Sequence, residues 1–134
     1  MSEKYDANDP VVKAGRSAIE QAMSEESGII FGMVATVDGF EVAAITDPNW
    51  DIPANRLAAM ASSGHALGDT VAKELTSTAC QNIIIDADKL SIVFLSIPGH
   101  EDPPLILGVA STKNASLGSV LYTADRCARR IGEA

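Results

Sequence analysis

Apolar positions along the chain alternate between two spacings, and the switches divide it into eight segments. After Asp9-Pro10, Val12, Ile19, Ala22 and Met23 fall on one side of a helix. The Asp-Pro pair suits its start, with aspartate at the cap and proline where its missing N–H costs nothing. Gly28 stops this helix. Residues 29–37, IIFGMVATV, form an apolar run of strand length. Asp38-Gly39 then predicts a two-residue hairpin turn, because the pair tolerates positive φ. Phe40 to Thr46 returns as a strand, with Phe40, Val42 and Ala44 on one face and Glu41, Ala43 and Ile45 on the other.

Residues 47–54, DPNWDIPA, are turn formers and make a connection. A helix-patterned run follows from Arg56 to Leu75, RLAAMASSGHALGDTVAKEL. Leu57, Ala61, Gly64, Gly68, Val71 and Leu75 recur at three- and four-residue steps along one face. Gly64 and Gly68 each carry a helix penalty of about 1 kcal/mol relative to alanine, so the folded or assembled state must want a flat, close-packing helix here. Residues 80–87 and 89–97 form a second strand pair around Asp86-Ala87-Asp88. SIPGHEDPP reads as a loop, because Pro98, Pro103 and Pro104 exclude regular structure. Residues 104–112 make a fifth strand. Asn114 caps a last helix whose Leu117, Val120, Leu121, Ala124, Ala128 and Ile131 form an apolar stripe. This order predicts an α+β domain: a five-stranded antiparallel-type sheet with three helices, α-β-β-α-β-β-β-α. One domain spans 1–134, with residues 1–8 as a flexible lead-in.

Composition then narrows the function. Apolar residues are 46% and aromatics only 4%, so the core rests on aliphatic side chains. The net charge of −8 is unevenly spread: residues 29–104 hold ten acids against Arg56, Lys73 and Lys89, whereas residues 105–134 are net +2. Such a surface disfavours nucleic acid, which needs clustered cations, and suits a partner with a basic patch. No apolar run approaches the roughly 20 residues that span a bilayer, and the polar N-terminus is unlike a secretory signal. A cytoplasmic protein without membrane insertion is therefore expected. Cys80 and Cys127 are too few for a disulfide framework or a four-ligand zinc site and read as small hydrophobes.

Catalytic constellations are missing. No phosphate-cradling loop is present. His65, mid-helix, and His100, in the proline loop, are paired with nothing at metal-ligand spacing. Ser62-Ser63 lie too close to His65 on one helix to build a nucleophile with an oriented base. Asp86 and Asp88 flank a turn, where aspartate is routine. Arg126, Arg129 and Arg130 suit the last turns of a helix, where cations offset the macrodipole. Trp50 reads as a lid over the core, with an exposed partner anchor as the alternative. No catalytic, cofactor-binding or metal-binding residue is assigned, which points to an interaction module rather than an enzyme.

In this order, GMVATVDGFEVAA (Gly32–Ala44), RLAAMASSGHALGDTVAKEL (Arg56–Leu75), CQNIIIDADKLSIVFLSI (Cys80–Ile97) and LGSVLYTADRCARRI (Leu117–Ile131) resemble a Roadblock-type domain. This is the family of the dynein light chain of that name and of bacterial gliding-motility GTPase regulators. The resemblance runs from about residue 10 to the end and implies a Roadblock/profilin-like fold. It also implies a homodimer, or pairing with a paralogous Roadblock protein, in which the second helix meets its symmetry mate and the third strands pair. Ala58, Ala61, Ser62, Gly64, His65 and Gly68, with Ile83, Ile84 and Ile85, are the expected dimer interface. The implied function is regulation or scaffolding of a Ras-like small GTPase in signal transduction, with stimulation of GTP hydrolysis as one form. The alternative is a nucleotide-independent interaction module of a sensory or signalling complex.

Overall fold

The computed structural model describes residues 5–134. Its elements are α1 (Pro10–Glu25), β1 (Ile29–Thr36), β2 (Glu41–Thr46), α2 (Ala54–Thr76), β3 (Asn82–Asp86), β4 (Leu90–Glu101), β5 (Pro104–Thr112) and α3 (Leu117–Glu133). The five strands form one antiparallel sheet in the order β2-β1-β5-β4-β3. The predicted fold class stands. The flexible lead-in expected over residues 1–8 falls partly, at 1–4, outside the described residues. Residues 6–9 are tied in a turn in which Asp6 Oδ1 accepts from Asn8 N at 2.8 Å.

Helices cover both faces of the sheet. One core joins α1 and α3 to the sheet through Ile19, Val34, Val93, Leu107, Val120, Cys127 and Ile131. The other joins α2 through Ala58 and Ala61 to Ile30, Phe31, Met33, Phe94 and Ile106. β1 lies between these layers with all eight residues buried, which explains its unbroken apolar run.

Local structure departs from the pattern at five places. The β1–β2 turn has three residues, not two: Gly39 N bonds to Thr36 O at 3.0 Å and Thr36 N to Phe40 O at 2.8 Å. Gly39 alone in this turn takes positive φ, +98°, so the type I′ form is not made. In β2, Val34 pairs with Ala43 and Ala35 with Glu41, leaving Val42 as a bulge. Val42 and Ala43 therefore share the α1 side, and the strict alternation expected over Phe40–Thr46 fails. Asp9 sits at the α1 cap position without capping, because its carboxylate accepts from Asp6 N at 3.1 Å. At α3 the cap is Ser116, whose hydroxyl accepts from Ser119 N at 3.1 Å, rather than Asn114. Finally, β4 continues through Pro98-Gly99-His100, expected as loop. β3 stops pairing at Leu95, so β4 beyond it is an edge, where proline is tolerated.

Candidate interaction surface

The 23-residue α2 is longer than its support. Only Ala58 and Ala61 are fully buried beneath it. The face read from sequence as one stripe begins on the sheet at Leu57 and Ala61 and then runs off it. Val71 is 49% and Leu75 80% exposed.

Within its own chain, each residue expected at the two-fold seam has definite contacts. Ala58 and Ala61 have no exposed surface, being seated on Phe31, Met33 and Phe94 of their own chain. The Ser62 hydroxyl donates to Val37 O at 2.5 Å, fixing α2 against the β1–β2 turn. A Cβ at Gly68 would fall 2.8 Å from Ile83 Cδ1 and 3.0 Å from Cys80 Sγ, so this glycine lets α2 approach its own β3. A Cβ at Gly64 would have only Ile83 Cδ1 nearby, at 3.9 Å. His65 is half-buried over a small cleft it shares with Cys80, Asn82, Ile83 and Phe94. Ile83 packs into the α2 core. Of the nine expected residues, Ile84 and Ile85 are the exposed ones, at 42% and 45%. Ala58, Ala61, Ser62 and Gly68 thus pack α2 on its own sheet, while Gly64 leaves open space beside it.

The surface left open is a different one. Met60 (58% exposed) and Leu67 (66%) join Val71 and Leu75 on the outer side of α2. Reading Leu57 to Leu75 as a single stripe hid them. Their own spacing, seven then four then four residues, was the signal available.

Each terminal strand has one outward carbonyl engaged by a side chain. At β2, Arg16 reaches across from α1 and its Nη1 donates to Ala44 O at 3.2 Å, covering an edge carbonyl. β3 is the other terminal strand, paired on one side only. Gln81 O accepts from Ser96 N and Ala87 N donates to Leu90 O, so the odd-numbered residues face β4. The peptide groups of Asn82, Ile84 and Asp86 consequently point outward. Among the described residues, only the Cys80 thiol, 3.3 Å from Asn82 O, reaches that edge. A twisted-away, charged or covered edge is the usual protection, and β3 has isoleucines instead.

The groups with chemical potential are engaged structurally. The Asp69 carboxylate accepts from Cys80 N and pairs with Lys73, both at 3.0 Å, and these contacts hold it below its ordinary range. It thereby anchors the segment between α2 and β3. Desolvation raises the Glu25 carboxyl, but Gln21, Arg130 and Arg126 more than offset this and keep it low. Arg129 pairs with Asp125 at 2.8 Å, so all three C-terminal arginines have carboxylate partners. Burial pushes the Cys127 thiol up to about 12. Lys113 pairs with Asp86 at the end of β3. Trp50 is 37% exposed and belongs to neither core, which replaces the lid reading. Among the described residues, no cluster of three or more His, Cys, Asp or Glu is placed to hold a metal ion. Nor is any helix among them long and apolar enough to cross a membrane.

No family model matches the sequence, and no curated protein matches it. Solved structures do match in shape. An MglB with a tetrameric arrangement superposes with a TM-score of 0.81 at 18% identity, over 93% of this chain and 90% of that one. The gliding protein MglB from Thermus thermophilus gives 0.81 at 16% identity with the same coverage. A Roadblock/LC7 domain from Streptomyces avermitilis gives 0.72 at 14% identity, over 84% of this chain and 89% of that one. The chain has the Roadblock fold. At these identities the likeness establishes architecture, and the Roadblock fold is the one the sequence resemblance implied.

Proposed function

We propose that the chain is a dimeric regulator or scaffold of a Ras-like small GTPase. It joins a second copy of itself, or a paralogous Roadblock protein, through the β3 edge and the outer side of α2, and brings no active site of its own. The β3 edge supports the assembly half of this reading: the peptide groups of Ile84 and Asp86 point away from β4 beside the exposed Ile84 and Ile85. Covering a half-exposed Leu, Ile, Val or Met side chain returns on the order of 1 kcal/mol. The six on α2 and β3 then return about 6 kcal/mol, comparable with the lower estimates for the loss of translational and rotational freedom. Strand pairing at the edge supplies the directional remainder.

The GTPase half is supported by the sequence resemblance and by a fold neighbour named as a gliding protein. The chain lacks a phosphate-cradling loop, so the nucleotide is held by the GTPase. Immobilised chain, challenged with Ras-like GTPases of its source organism in GDP and GTP-analogue forms, tests it. Retention of the GTP form at least about tenfold above the GDP form supports the reading. Equal failure of both forms across those GTPases refutes it. Equal retention of both forms would instead make the chain a nucleotide-independent module. Single-turnover hydrolysis with the chain in excess measures stimulation.

A further inference from the structure

Trp50 is exposed and outside both cores, yet its position is fixed. Asn49 N donates to Asp47 Oδ1 at 2.8 Å and Trp50 N donates to Asp47 O at 3.0 Å, a tight turn that holds the indole just past the end of β2. β2 is the terminal strand opposite β3. Asp47 N bonds inward to Ile30 O, while Arg16 reaches Ala44 O from outside, so the peptide groups of Ala44 and Thr46 point outward. Gly15 lies against Ala43, and Ile19 against Gly32, which pairs with Ile45. Glu20, one turn beyond Arg16, is therefore level with Thr46 and Asp47 on the same side. Glu20 and Asp51 are exposed, and among the described residues neither has an ion-pair partner. No Lys or Arg occurs from residue 17 to residue 55.

We propose that this corner docks an extended basic segment of a partner protein, which adds a strand along the outer edge of β2. The occupant follows from what the corner already holds and what it lacks. The edge takes a guanidinium now, since Arg16 supplies the donor at Ala44 O. The carboxylates of Glu20, Asp47 and Asp51 add a negative field that attracts Lys and Arg and repels phosphate, which excludes nucleic acid and anionic lipid. The fixed indole of Trp50 offers its face to a guanidinium and its apolar surface to a Lys or Arg stem. Backbone pairing supplies direction, and the charged side chains supply selection. The six residues of β2 with the turn beyond them suit a segment of about eight residues. Exposed ion pairs are weak and screened by salt, so the affinity lies in the range of tens to hundreds of micromolar at low ionic strength. The corner is at the far side of the sheet from β3, so this docking goes beyond the proposed function and does not depend on it.

Trp50 is the sole tryptophan of the chain, so its emission reports from the site itself. The probe is a capped eight-residue peptide alternating Arg and Thr, titrated at low salt against its Glu and Thr counterpart. The Arg peptide should shift the emission to saturation in the stated range and bind about tenfold more weakly in half-molar salt. Glu20→Gln and Asp51→Asn, both exposed changes that leave the fold intact, should each weaken binding about threefold. Methylating alternate backbone nitrogens of the peptide keeps its charge but removes its edge donors, and should weaken it about tenfold. Glu101→Gln, on the β4–β5 hairpin, should leave binding unchanged. Absence of a saturable shift overturns the inference, as does an equal response to the Glu peptide. Equal weakening by Glu101→Gln and Asp51→Asn overturns it too, reducing the attraction to diffuse net charge. So does a shift on concentrating the chain alone, which gives the corner to a second copy. Ile84→Pro should bind the peptide like wild type whatever its oligomeric state; loss of binding there would move the peptide to the β3 edge and overturn the assignment.

Discussion

Replacing Gly68 distinguishes a helix seated on its own sheet from one meeting a partner. A Cβ there comes within 2.8 Å of Ile83 Cδ1, 3.0 Å of Cys80 Sγ and 3.1 Å of Ile83 Cγ1. In Gly68→Ala, the helix gains about 1 kcal/mol over glycine. Moving the Ile83 tip off its rotamer costs about 0.5–1.5 kcal/mol, so the net change is near zero. Gly68→Leu adds three more carbons to space that Ile83 and Cys80 already fill, and overpacking costs about 1–3 kcal/mol. Gly64→Ala, one turn earlier, meets only Ile83 Cδ1 at 3.9 Å and should gain about 0.5–1 kcal/mol. Urea unfolding at several protein concentrations reads all three. The clash at Gly68 lies inside one chain, so the loss in Gly68→Leu should not change with concentration. If Gly68→Leu unfolds like wild type at low concentration and instead lowers the dissociation midpoint, the stripe faces a partner and the packing argument is wrong.

Three further outcomes follow from the same contacts. Ser62→Ala removes the hydroxyl bond to Val37 O and should lower Tm by roughly 3–5 °C, corresponding to about 1 kcal/mol, by calorimetry. In native protein a thiol reagent should modify Cys80 and spare Cys127, which is buried and raised to about 12; peptide mapping showing equal labelling would refute this. The Glu25 carboxyl is held low by Gln21, Arg130 and Arg126 against desolvation, so its ion pairs stabilise the fold above the ordinary carboxylate value of 4.5. Wild type should therefore exceed Glu25→Gln in stability at neutral pH and lose that margin as pH falls through the lowered folded-state value. A margin that widens on acidification contradicts the assignment.

Element order was legible because each element announces itself locally. The run at 29–37 and the stripe from Leu117 to Ile131 are signals that any sheet covered by helices produces. The Val42 bulge was not legible, since period-two reading assumes that every residue advances the register. Pro98 misled for a non-local reason: it is tolerated because β3 is shorter than β4, a fact about the neighbour. The candidate surface was half legible. Ile84 and Ile85 carried the edge signal in their β-branched run, and the structure leaves them exposed. For α2, periodicity gives each residue's angle around the axis but not which angle meets the sheet. That depends on sheet width and on where the 23-residue helix outruns it, which moved the small residues inward and Met60 and Leu67 outward.

The central claim is that the chain functions as an assembly joined at β3, and Ile84→Pro tests it most directly. The Ile84 N–H points away from β4, so proline there spares the β3–β4 ladder and removes only a donor that a second copy would use. Sedimentation equilibrium of the wild-type chain at tens of micromolar should give twice 14.0 kDa, and Ile84→Pro with unchanged circular dichroism should give 14.0 kDa. A wild-type chain that is monomeric under these conditions, or an Ile84→Pro variant that remains a full dimer, would contradict the account.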